Sequence, residues 1–286
     1  MRVLVTGAGG LVGWALCREL VGGPGSDHEV HATARSRPAP AGVVAHRVEL
    51  SEPGAAARLV ESILPHVVVH TAYSMSELER DVVVATTEVA RACARGGVAL
   101  VHVSTDAVFD GEHAPYAEDV VPTPVHPYGA AKWAAEQAVQ EVVPTAAIVR
   151  TALIAHLDIA RPDSSTQWLL DAQRRGEEVT LFTDEIRSVV RLEDLVDVLA
   201  RLAQSDPEVR RGVWHVGGPD RLSRWELGEI VAARFGLDRS LIRPGLAAAL
   251  PGRRPRDVSL ACDRLAQLSV RPGPIDTVTD HGQANG

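Results

Sequence analysis

Short apolar segments alternate with amphipathic stretches through the first half of the chain. The apolar segments predict strands at about 2–6, 29–34, 43–48, 66–71, 98–103 and 145–150. The stretches between them predict helices at about 11–22, 53–63, 77–95 and 127–142. Strands that alternate with helices in this way are typical of an α/β fold, here a doubly wound, Rossmann-like parallel sheet.

The second half of the chain is less regular. A helix is predicted at 166–175, a return to the sheet through Ser188-Val189-Val190, a helix at 192–204 and a short strand at 214–216. Ser223 and Glu226 have the spacing of a capping box, which predicts a helix that begins there and ends at Gly236.

These elements predict two domains. Residues 1–150 with about 188–216 are expected to form a dinucleotide-binding domain. Residues 151–187 with 217–276 are expected to form a smaller α/β substrate lobe that closes over the carboxyl ends of the strands. The polar segment 277–286 is expected to be a disordered tail.

The first strand runs straight into a glycine-rich turn with the spacing Thr-Gly-x-x-Gly-x-x-Gly. Gly7 permits the tight turn, and Gly10 lets backbone amides, including those of Leu11 and Val12, approach a diphosphate. Gly13 lets the helix lie close to the strand. Any tight strand-to-helix turn could carry these glycines, but the strand before them and the helix after them favour a bound dinucleotide.

Composition excludes several classes of partner. The 286 residues carry a net charge of −8, and there is no run of basic residues, which argues against binding to nucleic acid or to an anionic membrane. No signal peptide precedes the first strand and no apolar run could span a bilayer, so a cytoplasmic protein is expected. Cys17, Cys93 and Cys262 are expected to be reduced thiols, and no metal-ligand spacing is found.

Tyr128 and Lys132 lie four residues apart, on one face of a predicted helix. A lysine beside a tyrosine stabilises the phenolate, so we expect it to lower the pKa of the phenol and allow proton exchange with a carbonyl. Thr105, at the end of the fifth strand, would offer its hydroxyl to the same oxygen. The alternatives are a solvated Tyr–Lys pair and a turn-capping role for Ser104 and Thr105.

With these motifs the chain resembles the extended short-chain dehydrogenase/reductases, and most closely the dTDP-4-dehydrorhamnose reductases. The resemblance rests on the glycine turn, on Ser-Thr-Asp-Ala-Val-Phe-Asp-Gly at 104–111, on Tyr-x-x-x-Lys and on the segments 184–188 and 254–260. It implies a nicotinamide dinucleotide, a nucleotide-linked keto sugar as substrate, and Thr105, Tyr128 and Lys132 as the catalytic set. A homodimer is compatible with it.

The resemblance also supplies candidate contacts. Those for the cofactor are Ala72, Tyr73 and Ser104, together with Glu49 and Leu50, which would border the adenine. Those for the sugar nucleotide are Thr105, Asp106, Val108 and Phe109. Trp168 and Arg187, in the predicted substrate lobe, are added because a nucleotide base favours an aromatic face and a diphosphate needs a cation. A core tryptophan and a surface arginine are the alternatives.

Three departures from the family pattern concern the sugar. Residues 184–190 differ from the usual Asp-Gln-x-Gly-x-Pro-Thr, Val83 replaces an asparagine, and Ser74-Met75-Ser76-Glu77 replaces an acidic stretch. They leave the redox centre unchanged and bear on the identity of the sugar.

The end of the second strand bears on the choice of cofactor. An NAD site normally has an acidic residue there, whereas this chain has Arg35, Ser36 and Arg37. Guanidinium groups and a hydroxyl suit a 2′-phosphate, which predicts NADPH, with NADH as the alternative. A merely exposed basic loop would show the same residues.

Three functions are therefore compared. The first is an NADPH-dependent reductase of a nucleotide-activated 4-keto-6-deoxy sugar. The second is a sugar-nucleotide epimerase or dehydratase with bound NAD, against which Ala107 stands where the dehydratases carry a glutamate. The third is a non-catalytic NADP-binding regulatory subunit, like the branch that partners methionine adenosyltransferase; the intact Thr-Tyr-Lys set disfavours it.

Overall fold

A computed structural model describes residues 1–23, 27–250 and 252–275. Its strands are β1 (Arg2–Thr6), β2 (Glu29–Thr33), β3 (Val44–His46), β4 (Val67–His70), β5 (Ala99–Thr105), β6 (Ala147–Thr151), β7 (Ile154–Ala155), β8 (Val179–Phe182), β9 (Ile186–Ser188), β10 (Val190–Arg191), β11 (Gly212–Val216), β12 (Arg221–Ser223) and β13 (Ile242–Gly245). Its helices are α1 (Leu11–Gly22), α2 (Ala55–Ile63), α3 (Ala85–Gly96), α4 (Pro127–Val142), α5 (Ser164–Arg174), α6 (Leu192–Gln204), α7 (Pro207–Arg210) and α8 (Arg224–Phe235). A π-helical segment, Glu79–Val84, leads directly into α3.

The main sheet has seven parallel strands in the order β11-β6-β5-β4-β1-β2-β3. The chain first moves outward from β1 to β3 and then returns to β4 on the other side of β1. This reversal places a crevice at the carboxyl ends of β1 and β4, which is where ligands bind in open sheets of this kind. The predicted α/β class with a Rossmann-like parallel sheet is confirmed.

The apolar run that predicted β1 is buried on both faces of the sheet. Val3 and Val5 pack on the side of α1 and α6, with Leu16 and Leu199, whereas Leu4 packs on the opposite side with Ile63. Continuous apolar strands are expected where helices cover both faces, because alternate side chains then enter two separate cores.

The observed bounds of the first six strands and four long helices agree with the sequence prediction to within two or three residues, apart from the π-helical start of α3. One expectation is wrong. Residues 188–190 do not return to the main sheet, because β9 pairs with β12 and β10 pairs with β7 in separate two-stranded sheets. The strand that completes the main sheet is β11, beside β6.

Outside the main sheet, α8 contacts α5, β8 and β12, which belong with the parallel pair β8–β13 and the antiparallel pair β9–β12; these elements are called the smaller lobe below. Ser223 caps α8 as predicted, with reciprocal bonds to Glu226, and Gly236 ends the helix at a φ of +63°. Leu169 of α5 and Val231 of α8 belong to the apolar core of this lobe.

One sequence-based expectation, the disordered tail at 277–286, lies outside the described residues. Within the described ranges, none of the helices has both the length and the apolar character needed to cross a bilayer. The same ranges contain no cluster of three or more His, Cys, Asp or Glu residues placed to hold a metal ion.

Candidate active site and dinucleotide cleft

The glycine-rich turn leaves no room for side chains. Gly7 has a φ of +78°, and a Cβ added there would lie 2.8 Å from the Cα of Ala72. A Cβ on Gly13 would lie 2.5 Å from the carbonyl oxygen of Gly7. Gly10 is the N-cap of α1 and contributes no side-chain cap, so the first amides of the helix face outward. These are the features that let a backbone approach a diphosphate.

Beside this turn lies a cleft of about 330 Å³. Its lining includes Gly7, Gly9, Gly10, Arg35, Ser36, Arg37, Glu49, Leu50, Ala72 and Tyr73, so most of the predicted cofactor contacts line one cavity. The exclusion of Cβ atoms at the turn fits the close approach of a dinucleotide's diphosphate. The Arg35 guanidinium is bound to the Glu49 carboxylate at 2.7 Å, a pair that the sequence analysis did not anticipate.

Thr105, Tyr128 and Lys132 are brought together at the carboxyl end of β5. The Thr105 hydroxyl is close enough to the Tyr128 phenol to lower its pKa, and the Tyr128 ring lies 5.9 Å from the ring of Tyr73. Lys132 is 4 % exposed, and its Nζ donates to the Val103 carbonyl at 2.7 Å. Thr105 also accepts from the Ala107 amide, so it has both the capping role and the contact with the phenol.

The first turn of α4 sets the position of Tyr128. His126 is the N-cap and accepts from the Tyr128 amide at 3.2 Å, and Pro127 begins the helix. Gly129 allows the helix to lie directly against the turn that follows β5, because a Cβ there would be 2.0 Å from the Ala107 carbonyl oxygen. A side chain at this position would therefore separate Tyr128 from Thr105.

Folding raises the pKa of the Tyr128 phenol and lowers the pKa of the Lys132 ammonium. Burial raises the pKa of the Tyr128 phenol, with further increases from Tyr73 and Asp106 and a smaller decrease from Thr105. Burial lowers the pKa of Lys132 to about 8, and the Glu136 charge opposes this. The expected lowering of the phenol's pKa by Lys132 is thus wrong for the chain by itself. A raised pKa keeps the phenol protonated at neutral pH, the state that donates a proton.

A second cavity, of about 340 Å³, lies in the smaller lobe between α5, α8 and β8. Trp168, Phe182 and two arginines, Arg224 and Arg254, are among its lining residues, and Trp168 is 48 % exposed. The Arg254 guanidinium lies 5.7 Å from the Phe182 ring centroid. It also donates to Glu185 at 2.9 Å. The cavity combines aromatic faces with cations, the groups that bind a base and a diphosphate.

The side chains of three predicted contact residues are buried. The Ser104 hydroxyl donates to the Glu136 carboxylate. Val108 and Phe109 are fully buried, and the Phe109 ring stacks on Tyr116 at 4.1 Å between centroids. The signature at 104–111 therefore contributes a core to the fold at two of the positions assigned to the substrate.

Arg187 and Asp106, two further predicted substrate contacts, form a buried ion pair. The Arg187 Nε lies 3.6 Å from Oδ2 of Asp106, and both side chains are more than nine-tenths buried. Arg187 does not line the cavity that contains Trp168. Burial raises the pKa of the Asp106 carboxyl, while Arg187 and Arg224 lower it. This pair lies beside Thr105 and beneath the site, rather than on its surface.

Sequence reasoning missed the buried pair behind Lys132. Glu136, one turn further along α4, accepts from the Arg150 guanidinium at 2.9 Å, and neither side chain is more than 2 % exposed. The available signal was the spacing, since Tyr128, Lys132 and Glu136 follow one another at intervals of four residues. Gly129 was missed as well, because only the packing against Ala107 makes a glycine necessary there.

A dinucleotide cleft on a Rossmann-like sheet, beside a Thr-Tyr-Lys set, defines a protein of the short-chain dehydrogenase/reductase type. The chain belongs to the family described as RmlD substrate binding domain, whose model matches residues 1–274.

Two curated relatives and one solved structure illustrate this similarity. The chain is 29% identical to methionine adenosyltransferase 2 subunit beta of Bos taurus, over 94% of this chain and 83% of that protein. It is 30% identical to dTDP-4-dehydrorhamnose reductase of Mycobacterium tuberculosis, over 89% and 82%. The structure of dTDP-4-dehydrorhamnose reductase from Bacillus anthracis in complex with NADP superposes with a TM-score of 0.78 at 22% identity, over 95% and 94%.

Proposed function

We propose that this protein is an NADPH-dependent reductase of a nucleotide-linked 4-keto-6-deoxy sugar. The observation that carries the proposal is the grouping of Thr105, Tyr128 and Lys132 beside Tyr73, a residue that lines the dinucleotide cleft. Membership of a family that includes sugar-nucleotide reductases supports the substrate class.

A bound nicotinamide would supply the hydride that reduces the ketone carbon. Tyr128 would donate its phenolic proton to the carbonyl oxygen as the C–H bond forms, and the products would be the alcohol and a phenolate. Thr105 would hold the same oxygen by a hydrogen bond and so orient the carbonyl. The raised pKa of Tyr128 favours the donor form before the reaction.

Lys132 would hold the nicotinamide ribose and stabilise the phenolate after proton transfer. The Lys132 Nζ is positioned by its hydrogen bond to the Val103 carbonyl, and it lies 5.7 Å from the centroid of the Tyr73 ring. With a pKa of about 8, the ammonium remains largely protonated at neutral pH. Its charge is therefore present when the phenolate forms, which lowers the energy of the product side of the transfer.

The cavity with Trp168 would receive the nucleotide of the substrate. Trp168 and Phe182 would stack against the base, and Arg224 and Arg254 would face the diphosphate. Glu185 contacts both arginines, so the cluster carries one net positive charge for an anionic ligand.

The test is turnover by the purified full-length chain. We expect oxidation of NADPH when a dTDP-linked 4-keto-6-deoxy sugar is added, with formation of one alcohol epimer detected by NMR. A preparation that binds NADPH but consumes none of a panel of 4-keto sugars would contradict the proposal.

A second candidate is a regulatory subunit, favoured by the similarity to methionine adenosyltransferase 2 subunit beta. It predicts a stoichiometric complex with a methionine adenosyltransferase and a change in that enzyme's rate when the two are mixed. Turnover of a keto sugar in the absence of any partner favours the reductase instead.

A further inference from the structure

Arg161, in the loop between β7 and α5, contacts the glycine-rich turn after β1. Its Nη2 donates to the Gly9 carbonyl at 3.1 Å and to the Gly10 carbonyl at 3.4 Å. The guanidinium also lies 4.4 Å from the ring centroid of Trp14, on the first turn of α1. Gly9 and Gly10 line the dinucleotide cleft, so Arg161 contacts two residues of the cleft wall.

The loop that carries Arg161 is held in place by its own hydrogen bonds. Asp163 closes it by accepting from the His156 amide at 3.1 Å, and Asp158 accepts from the Ala160 amide at 2.8 Å. His156 also contacts Glu193 of α6 at 3.1 Å. A guanidinium on an anchored loop loses less conformational freedom when it binds a ligand.

Arg161 and Arg37 approach the turn from two different segments. A Cβ on Gly9 would lie 3.0 Å from the Arg37 carbonyl oxygen, so the Arg37 backbone covers the turn that Arg161 contacts. Burial lowers the pKa of Arg161, and the Arg37 charge lowers it further. Within residues 1–23, 27–250 and 252–275, neither guanidinium has a carboxylate ion-pair partner, in contrast to Arg35.

Two like charges without a counter-ion, beside outward-facing amides, are suited to an anion. We propose that Arg161 is a cofactor-binding residue that closes over the glycine-rich turn and holds the diphosphate of the dinucleotide. This inference rests on the proposed function only in requiring a dinucleotide cofactor. By joining the smaller lobe to the turn, Arg161 ties release of the cofactor to separation of these two segments.

The experiment compares Arg161→Gln with the matched control Arg18→Gln. Arg18 also lies against Trp14, 4.9 Å from the ring centroid, whereas the guanidinium that donates to the Gly9 and Gly10 carbonyls is that of Arg161. Both variants lose one positive charge, so long-range electrostatic effects are similar. We expect Arg161→Gln to weaken NADP⁺ binding about ten- to a hundredfold in calorimetric titration, largely through faster dissociation. Arg18→Gln should bind as the parent does.

Two fragments of NADP⁺, ADP and 2′-AMP, distinguish contact with the diphosphate from contact with the 2′-phosphate. ADP, which has the diphosphate, should lose affinity in Arg161→Gln, whereas 2′-AMP, which lacks it, should not. Arg161→Lys should recover part of the loss, because it restores the charge without the planar fork. Unchanged NADP⁺ affinity in Arg161→Gln would overturn the inference. An equal loss for both fragments, which indicates a structural effect, would overturn it too, as would a loss confined to 2′-AMP, which indicates contact with the 2′-phosphate.

The outcome is separable from that of the proposed function. A parent protein that binds NADP⁺ through Arg161 but reduces no keto sugar contradicts the reductase and supports this inference. If the parent reduces the keto sugar and Arg161→Gln binds NADP⁺ as tightly as the parent, the reductase is supported and the role of Arg161 is contradicted. A parent protein that does not bind NADP⁺ contradicts both.

Discussion

Gly129→Ala is expected to disable the site without touching a reacting group. The added Cβ would lie 2.0 Å from the Ala107 carbonyl oxygen and 3.3 Å from Pro124 Cβ. An ordinary contact begins at 3.4 Å, so α4 and the turn after β5 must separate by more than an ångström. The neighbour is backbone and cannot rotate away, and Tyr128 is the residue next to the substitution.

The expected magnitude follows from this displacement. A misplacement of about 1 Å in a catalytic group costs on the order of 100-fold in rate, so kcat for reduction of the keto sugar should fall by about that factor. Overpacking lowers the free energy of unfolding by about 1–3 kcal/mol. The higher helix propensity of alanine restores roughly 1 kcal/mol of this loss. NADP⁺ affinity should be retained, because Gly129 does not line the cleft.

The assay is steady-state reduction followed by NADPH absorbance, with NADP⁺ titration and thermal unfolding alongside. Gly22→Ala is the matched control, since it also lies in a helix and an added Cβ there meets nothing within 4 Å. It should leave the rate unchanged. A Gly129→Ala variant with the parent's kcat, or one whose loss lies wholly in KM or in cofactor affinity, would refute the reasoning.

The remaining predictions concern the cofactor, the proton donor, the nucleotide pocket and pH. Tyr128→Phe should retain cofactor binding while reduction falls by about two to four orders of magnitude, and near-parent turnover would assign the proton to another group. NADPH should bind at least about tenfold more tightly than NADH, and Arg35→Gln should reduce that ratio; equal affinities in the parent would remove the role of Arg35. Trp168→Ala should weaken dTDP binding about three- to tenfold, and a crystal structure with dTDP should show contact with Trp168 and none with Arg187. Because the folded-state pKa of Lys132 is lowered from 10.5 to about 8, its contribution to the free energy of unfolding should rise with pH between those values, by up to about 3 kcal/mol. Denaturant unfolding of the parent and of Lys132→Met across that range isolates the effect, and identical pH profiles would contradict it.

Local patterns were sufficient where a feature depends on neighbours in the chain. The run Val3-Leu4-Val5 predicted a buried strand, and the glycines at 7, 10 and 13 predicted the turn that follows it, since both depend on residues within one strand and one helix. The capping box at Ser223 was predicted for the same reason.

Local patterns failed where a side chain is shared between distant elements. Nothing near Arg35 in the sequence indicates that its partner is Glu49, because β2 and the loop after β3 meet only in the folded sheet. Val108 and Phe109 were assigned to the substrate by resemblance, whereas packing against Tyr116 places Phe109 in a core.

The sequence by itself determined the α/β class, the glycine-rich turn and the presence of the Tyr128–Lys132 pair on one helix face, because strand periodicity, turn conformation and helical spacing are properties of contiguous residues. Only the tertiary structure decided which residues surround that pair. The close approach of Gly129 to Ala107 and the contact of Arg161 with the glycine turn join segments that are far apart in the chain. The pKa of Tyr128 depends on the same assembly, since it is set by burial and by charges that folding brings near it.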